Sequence, residues 1–133
     1  MTRRSARSAW ARQRLVHAAD DYLRAIPARP VYTEELCTAL GTSATRLHQA
    51  FHATFNISPH RYLKLRRMGM VHTMLLSRSG PWRSVKAAAL SHGFWHLGQF
   101  AHDYQDLYGE LPSETLARVR ATTVAVADFD MGA

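Results

Sequence analysis

The stretch Ser84–Pro112, SVKAAALSHGFWHLGQFAHDYQDLYGELP, decides the fold, because Thr33–Pro59 repeats its plan earlier in the chain. When the copies are aligned on Gly41 and Gly93, each has a small residue four places before the glycine and three apolar residues at four-residue spacing after it. That spacing puts three side chains on one face of a helix. The small residues are Cys37 and Ala89, and the spaced residues are Leu47, Phe51 and Phe55, then Phe100, Tyr104 and Tyr108. Each copy therefore predicts a helix-turn-helix motif, here called the first head and the second head.

The composition is typical of a single globular domain. The chain has 133 residues, of which 47% are hydrophobic and 20% charged, enough to bury roughly two thirds of the unfolded surface. No apolar run approaches the roughly 20 residues of a membrane span, and the basic N-terminus lacks the apolar core of a signal peptide. The one cysteine, Cys37, cannot form an internal disulfide, and we interpret it as a small core residue. We therefore expect a soluble cytoplasmic protein with no membrane partner.

Positive charge is spread over residues 1–120, whereas residues 121–133 carry two aspartates and no basic side chain. The formal net charge is +7, and residues 1–29 contain seven arginines against Asp20 and Asp21. Residues 30–120 carry ten basic and six acidic side chains, so the repeat itself is basic. Such a balance favours a polyanionic partner, through phosphate contacts and the release of counterions.

The pattern predicts an extra helix before the repeat and a tail after it. Residues 2–9 are rich in arginine and serine and are interpreted as a frayed tail. From Trp10 the apolar residues have helical spacing, until Pro27 ends the helix. The expected organisation is a basic tail and packing helix over 1–30, a double helix-turn-helix domain over 31–120, and a C-terminal tail without predicted fold over 121–133. The apolar stripe of the extra helix is Leu15, Ala19, Tyr22 and Ile26.

In the first head, Thr33 is predicted to cap a helix that runs to about Leu40, with glutamates in its first turn. Gly41 supplies a positive φ in the turn, and Ser43 caps the next helix, Ala44 to about Phe55. Since Leu47 and Phe51 face inward, the outward face presents polar side chains suited to a DNA groove. They are Thr45, Arg46, His48, Gln49 and His52.

A long helix is predicted between the heads, capped by Ser58 with Pro59 in its first turn and ending near Ser77. Its apolar residues lie on more than one side, which predicts packing on two sides and a role as connector. Gly69 within it predicts a close helix crossing. Its expected basic surface consists of Arg61, Lys64, Arg66 and Arg67.

In the second head, Ser84 is predicted to cap a helix from Val85 to Ser91, and Gly93 makes the turn. The second recognition helix is expected from about His96 to Tyr108, followed by a short helix capped by Ser113 that ends near Arg120. The outward positions of the second recognition helix offer fewer hydrogen bonds than those of the first. They are Leu97, Gly98, Ala101, His102 and Gln105.

The region Tyr32–Arg120 resembles the DNA-binding domain of the AraC (AraC/XylS) family of bacterial transcription regulators. The resemblance implies seven helices in two helix-turn-helix subdomains joined by a long helix. It also implies that each recognition helix enters a major groove, with adjacent grooves about 34 Å apart on one face of the DNA. The residues that carry the resemblance are Leu36, Gly41, Ser43, Leu47, Phe51, Ser58, Pro59, Tyr62, Arg66, Ala89, Gly93, Phe94, Phe100, Tyr104, Gly109 and Pro112.

The resemblance implies base reading by Thr45, His48 and Gln49. Gln49 can bond adenine with two hydrogen bonds, worth roughly 1–3 kcal/mol of discrimination. The full set of expected base-reading residues is Thr45, His48, Gln49 and His52 in the first head, and Leu97, Gly98, Ala101 and His102 in the second. The second head is expected to add affinity, methyl contacts and shape reading more than base-specific hydrogen bonds. Expected phosphate contacts are Ser43, Arg46, Ser58, Arg61, Lys64, Arg83 and Lys86.

Four positions depart from the pattern of the family. Asn56 replaces a glycine before Ser-Pro, which is tolerable because asparagine accepts left-handed backbone conformations. His72 stands where the connector usually has a small residue. His96 stands where a capping Ser or Asp is common, and His102 where an arginine is common, which puts a phosphate or base contact there in doubt.

Other functions were weighed against DNA binding. His48 and His52 have the spacing of a helical metal pair, but the sequence implies no third ligand, so we expect neither metal nor cofactor. No phosphate-binding glycine loop or nucleophile elbow occurs, and we expect no catalytic residue, although a site assembled only in space stays open. A basic helical protein-interaction module, or a nonspecific DNA-binding protein, is the alternative. Trp82 and Trp95 are interpreted as packing residues, with contacts to DNA or polymerase as the sharper hypothesis.

The expected partners are double-stranded DNA, at the bacterial nucleoid, and RNA polymerase. Larger members of the family carry a separate effector-binding domain, for which this chain has no room. A small-molecule effector is therefore expected only through a domain absent from this chain. The chain is either a short regulator or the C-terminal part of a longer one.

Overall fold

The computed structural model describes the backbone of residues 3–77 and 84–131 and the side chains of residues 6–77 and 84–122. These residues form seven α-helices without a strand, which confirms the predicted all-α fold. The helices are α1 (Arg3–Ala25), α2 (Thr33–Leu40), α3 (Ala44–Phe55), α4 (Pro59–Leu76), α5 (Val85–Ser91), α6 (Leu97–Tyr108) and α7 (Pro112–Met131). The chain divides into two compact units, Met1–Arg66 and Arg67–Ala133, and α4 contributes residues to both. No helix within the described ranges is long and apolar enough to cross a membrane.

The first unit packs α1, α2, α3 and the start of α4 around one apolar core. Two of the three predicted core residues of α3, Leu47 and Phe51, are fully buried. The third prediction is wrong, because Phe55 in the last turn of α3 is 42% exposed and stacks on the Tyr62 ring instead. The buried residues are Val16, Ala19, Leu23, Val31, Leu36, Leu47, Ala50, Phe51 and Leu63.

The extra helix is longer than predicted. It begins at Arg3, whereas the sequence analysis placed a frayed tail before Trp10. No glycine or proline occurs before Pro27, and alanine and arginine are both strong helix formers, so the basic composition does not interrupt the helix. Its buried stripe contains Val16 and Leu23 in addition to the predicted Ala19.

Serine caps and left-handed turns define the helix ends largely as predicted. The hydroxyl oxygens of Ser43, Ser58 and Ser84 each accept a backbone N–H from three residues on, at 3.2, 3.1 and 3.1 Å. The predicted cap by Thr33 is wrong: Thr33 is already helical, and Tyr32 occupies the capping position without a side-chain bond.

Three turn residues adopt the left-handed backbone conformation that the sequence analysis required of them. Gly41 and Gly93 have φ of 62° and 79°, and Asn56, the departure from the family pattern, has φ of 58°. Asparagine is one of the few residues with a side chain that visit this region routinely. The end of α3 therefore keeps its turn without a glycine.

The second unit packs the second half of α4 with α5, α6 and α7. Its buried apolar residues are Met68, Val71, Leu75, Ala88, Ala89, Phe94, Phe100 and Tyr104. Since Leu63 belongs to the first core, the apolar residues of α4 serve two cores, as its two-sided pattern predicts. A Cβ at Gly69 would meet its nearest atom, the Tyr108 hydroxyl of α6, at an ordinary 3.8 Å, so the space beside this residue does not require a glycine.

Two arginines predicted on the surface of α4 have structural roles instead. Arg67 is only 6% exposed; it donates a hydrogen bond to the carbonyl oxygen of His92 at 3.0 Å and lies over the Phe94 ring. Arg66, in the first unit, is half-buried and donates to the carbonyl oxygen of Arg29 at 2.7 Å. Both guanidinium groups hold neighbouring backbone segments in place by hydrogen bonds, so neither arginine belongs to an exposed basic surface.

The last helix also differs from prediction at both ends. It starts at Pro112 rather than after Ser113, and it continues to Met131, through the residues predicted as an unfolded tail. Residues 121–131 contain no glycine or proline, so no strong helix breaker interrupts α7 before its end at Met131.

Candidate nucleic-acid interface

The outward face of α3 presents four polar side chains in the arrangement that the sequence predicts. Thr45, His48, Gln49 and His52 are all exposed and follow the i, i+3, i+4, i+7 spacing of one helix face. The rings of His48 and His52 lie 4.4 Å apart. The described side chains include no group of three or more His, Cys, Asp or Glu that could hold a metal. Because all four side chains are polar and exposed, this face can form hydrogen bonds with a partner.

The candidate phosphate contacts of the first unit cluster at the starts of α3 and α4. Arg46 and Arg61 are exposed, and their backbone N–H groups are capped by Ser43 and Ser58. Lys64 is half-buried on α4. Helix N-termini carry unpaired backbone N–H groups and positive dipole ends, which favour a phosphate.

A cleft of about 360 Å³ lies beside the first head, and the sequence analysis did not foresee it. Ser8 and Arg12 of α1 form one wall, and the turn 40–42 with Arg46 and Gln49 forms the other. The missed signal was the unbroken helical propensity of residues 2–9, which continues α1 alongside the turn. A candidate base-reading residue and two arginines thus share one open space.

The outward face of α6 is less polar than that of α3, and one of its predicted outward residues packs partly against the core. Leu97 is half-buried against the core, whereas Gly98 and His102 are exposed and Ala101 is half-buried. His102 lies 3.4 Å from the carboxylate of Asp106, so its ring already has a partner when protonated. Among the four predicted base-reading residues of α6, only His102 has a side chain that can form hydrogen bonds.

An apolar groove of about 310 Å³ runs along the same head. Leu97, Ala101 and Lys86 line it together with residues at the start of α7. His96 occupies the capping position of α6 without a side-chain hydrogen bond, as expected for this departure from the family pattern.

Trp95, next to His96 in the second turn, is 72% exposed, so the packing interpretation is wrong for it. Arg83 and Trp82, a predicted phosphate contact and a predicted packing residue, lie outside the described residues.

A polar network connects residues of α1, α2 and α4 with the loop between α1 and α2. Glu35 on α2 accepts two hydrogen bonds from Arg29, at 2.9 and 2.7 Å, and one from the Tyr22 hydroxyl of α1 at 2.6 Å. These bonds hold the pKa of Glu35 at about 2, below its ordinary 4.5. Arg66 of α4 donates to the backbone carbonyl oxygen of Arg29, so α4 is tied to the same loop residue that bonds the Glu35 carboxylate. From the sequence, Glu35 is expected only to interact favourably with the dipole of α2.

A second network explains the histidine that departs from the family pattern. His72 stacks on Tyr108, with ring centroids 3.8 Å apart and planes 6° from parallel. Its Nδ1 lies 2.8 Å from the Tyr104 hydroxyl, which donates its one proton to Thr115 at 2.9 Å. Nδ1 of His72 must therefore carry the proton and donate it. Burial lowers the pKa of His72, which agrees with a neutral ring.

Comparison with known proteins decides the family. A family model described as a helix-turn-helix domain matches residues 36–118. A solved structure of a probable AraC family transcriptional regulator from Rhodopseudomonas palustris CGA009 is 39% identical, with a TM-score of 0.69 over 80% of this chain and 97% of that one. The chain belongs to the AraC family of transcription regulators. An AraC-type structure from Chromobacterium violaceum, 21% identical with a TM-score of 0.66 over 80% of this chain and 93% of that one, shares the fold.

Curated relatives of this AraC-family chain are larger regulators. The XylDLEGF operon transcriptional activator of Pseudomonas putida is 33% identical over 92 residues, which are 69% of this chain and 29% of that protein. A probable thc operon regulatory protein of Rhodococcus erythropolis is 32% identical over 105 residues, 79% of this chain and 32% of that protein. The chain thus spans about a third of the length of these relatives.

Membership assigns DNA binding and transcription regulation to this AraC-family domain, as predicted. The family is not a class of enzymes. The described residues that line the cleft beside the first head include no histidine, cysteine or carboxylate.

The Glu35 network predicts a specific acid sensitivity of the AraC-family domain. Because the pKa of Glu35 is lower in the folded protein than its ordinary 4.5, its contribution to stability is complete above about pH 4.5 and is lost as the pH falls toward 2. We expect Glu35→Gln to be less stable than wild type at pH 6 and to lose less stability between pH 5 and pH 2. Thermal unfolding of both proteins across this range measures the difference, and parallel pH profiles would contradict it.

Proposed function

We propose that the chain binds double-stranded DNA in a sequence-specific manner, with α3 and α6 as recognition helices in adjacent major grooves, and that it activates transcription. The observation that carries the proposal is the exposed polar face of α3, opposite the buried Leu47 and Phe51, within the range that matches the family model. An α-helix fits the major groove, where each base pair presents a distinct pattern of donors and acceptors.

In this proposal the first head reads most of the sequence. The amide of Gln49 bonds the N6 and N7 edge of adenine, and His48 and Thr45 bond neighbouring base edges. His52, one turn beyond His48, extends the reading along the groove. The exposure of all four side chains supports these roles.

The second head adds affinity and shape reading. Ala101 and the exposed part of Leu97 contact thymine methyl groups, and Gly98 lets the backbone of α6 approach the DNA closely. His102 contributes less to base reading, because Asp106 competes for its ring nitrogen. The apolar groove at this head supports methyl contact over hydrogen bonding.

Backbone contacts position both heads without reading sequence. The groups proposed to bind phosphate are guanidinium and ammonium groups, together with the serine hydroxyls at helix N-termini. They are Ser43, Arg46, Ser58, Arg61, Lys64, Arg83 and Lys86.

The wider role follows from the relatives. An activator must act on RNA polymerase, and the relative from Pseudomonas putida is described as a transcriptional activator, which supports activation here. We propose that residues 31–120 carry this function at the nucleoid in the cytoplasm, with residues 1–30 as a supporting segment and residues 121–133 as a C-terminal segment outside the DNA-binding domain. The chain itself catalyses no reaction, and any effector acts through another domain. Transcription in vitro with purified polymerase tests activation, and an unchanged transcript level from a bound promoter would contradict it.

The division of labour predicts the effect of Gln49→Ala. We expect the preference for adenine at one position to fall by about 1–3 kcal/mol while the rest of the preferred sequence persists. Gln13→Ala, which removes the same side chain from an exposed position of α1 outside both recognition helices, is the matched control and should leave the motif unchanged. Sequencing of duplexes bound by each variant measures the preference. If Gln49→Ala and His48→Ala both select the wild-type motif, α3 is not the main reading helix.

A further inference from the structure

Residues 6–14 form an exposed basic segment of α1. Their side chains are exposed apart from that of the half-buried Ala9, and Val16 is the first buried residue after them. Arginines described in this segment are Arg7, Arg12 and Arg14. Neither Arg7 nor Arg12 forms an ion pair with a described side chain, so their charge has no structural use within this part of the molecule.

The side chains of Arg12 and Arg7 lie on different sides of α1. Arg12 lines the cleft of about 360 Å³ whose other wall includes Arg46 and Gln49. Among the side chains that the structure describes, the lining contains two guanidinium groups and no carboxylate, which makes the space between the walls electropositive. Arg7 does not line the cleft, since five residues of helix turn it about 140° away from Arg12.

We infer that Arg12 binds a backbone phosphate of the same duplex that α3 reads, so that the first head holds DNA with α1 as well as α3. The inference rests on the proposed function, which puts Gln49 on a base and Arg46 on a phosphate. A DNA backbone that runs beside α3 then passes the mouth of the cleft, opposite Arg12. The planar fork of a guanidinium matches two phosphate oxygens, and Ser8, one turn earlier on α1, adds a hydroxyl donor.

Paired substitutions test this contact against a general effect of charge. Arg12→Gln and Arg7→Gln each remove one positive charge from an exposed position of α1 and keep a good helix former. The affinity of each variant for the selected duplex is measured from 50 to 200 mM salt. For Arg12→Gln we expect the slope of log affinity against log salt to shrink by about 0.9, so that its affinity defect is roughly threefold to fourfold larger at 50 mM than at 200 mM. For Arg7→Gln we expect the wild-type slope.

The base preference of Arg12→Gln should equal that of wild type, because phosphate contacts carry no sequence information. Phosphate ethylation interference on the bound duplex should lose one site in this variant relative to wild type. Equal slopes for Arg12→Gln and Arg7→Gln would overturn the inference, because long-range charge would then explain both.

Two further outcomes are distinguishable from these. If the wild-type protein enriches no sequence, the proposed function fails, whatever the slopes. Inorganic phosphate is the probe for a free-anion site: we expect it to raise the melting temperature of wild type and Arg12→Gln equally at matched ionic strength. If it stabilised only wild type while the DNA slope of Arg12→Gln stayed unchanged, the cleft would bind a free anion and the inference would be overturned.

Discussion

Replacing Phe51 by alanine is expected to lower the free energy of unfolding by about 3–5 kcal/mol, the cost of truncating a buried phenylalanine. Phe51 is 1% exposed at the centre of the first core, and its ring contacts those of Phe55 and Tyr62 at 5.6 and 5.1 Å between centroids. The loss combines hydrophobic transfer with a cavity that the surrounding helices cannot fill. Such a loss is a large part of the 5–15 kcal/mol that stabilises a typical domain.

Phe55 is the matched control, because it shares the four-residue spacing and the residue type of Phe51. The structure exposes 42% of it, so Phe55→Ala should cost about 1 kcal/mol, mainly for its stacking on Tyr62. Urea unfolding of both variants at pH 7 measures the contrast. Equal losses would mean that both rings belong to the core, as the spacing alone suggests, and that the last turn of α3 lies differently.

The second large effect is expected at the DNA surface. His48→Glu should lower the affinity for the selected duplex by about a hundredfold or more, because a carboxylate held in the major groove between two phosphate backbones is repelled at a cost of several kcal/mol and each tenfold is about 1.4 kcal/mol. His48 is exposed and glutamate is a better helix former than histidine, so the fold should persist. Fluorescence anisotropy with a labelled duplex measures the affinity, and circular dichroism measures the helix content.

Thr54→Glu makes the same change of charge within α3. Thr54 is exposed but lies about 120° around the helix from His48, away from the proposed reading face. Its affinity should stay within about threefold of wild type, the scale of a remote charge that salt screens. If Thr54→Glu weakened binding as much as His48→Glu, the face opposite to the proposed one, or charge alone, would be responsible.

The sequence predicted well wherever one local pattern decides the structure. The limits of α3, the left-handed turns at Gly41 and Gly93, and the caps at Ser43 and Ser84 all follow from neighbouring residues, and all are confirmed. The outward face of α3 follows from helical spacing once Leu47 is taken as buried. The roles of these exposed residues on DNA remain predictions.

The roles of Glu35 and Arg67 were missed because both depend on contacts between residues far apart in sequence. Glu35 contacts Arg29 and Tyr22 through tertiary packing, and the spacing of residues in the sequence does not predict these contacts. Arg67 is charged, which favours the surface on average, yet it is buried against a carbonyl and an aromatic ring. The cleft beside α3 was missed because residues 2–9 were interpreted from composition rather than from helix propensity.

The most direct test of the account is selection by the wild-type protein from a randomised duplex pool at physiological salt, with sequencing of the bound fraction. Two unequal heads predict an asymmetric motif of two boxes about one helical turn, roughly 10 base pairs, apart, the box of the first head being the more stringent. Binding without enrichment would contradict sequence-specific reading and favour a nonspecific DNA-binding protein. Absence of binding would contradict the DNA-binding function of this chain and favour a protein-interaction module.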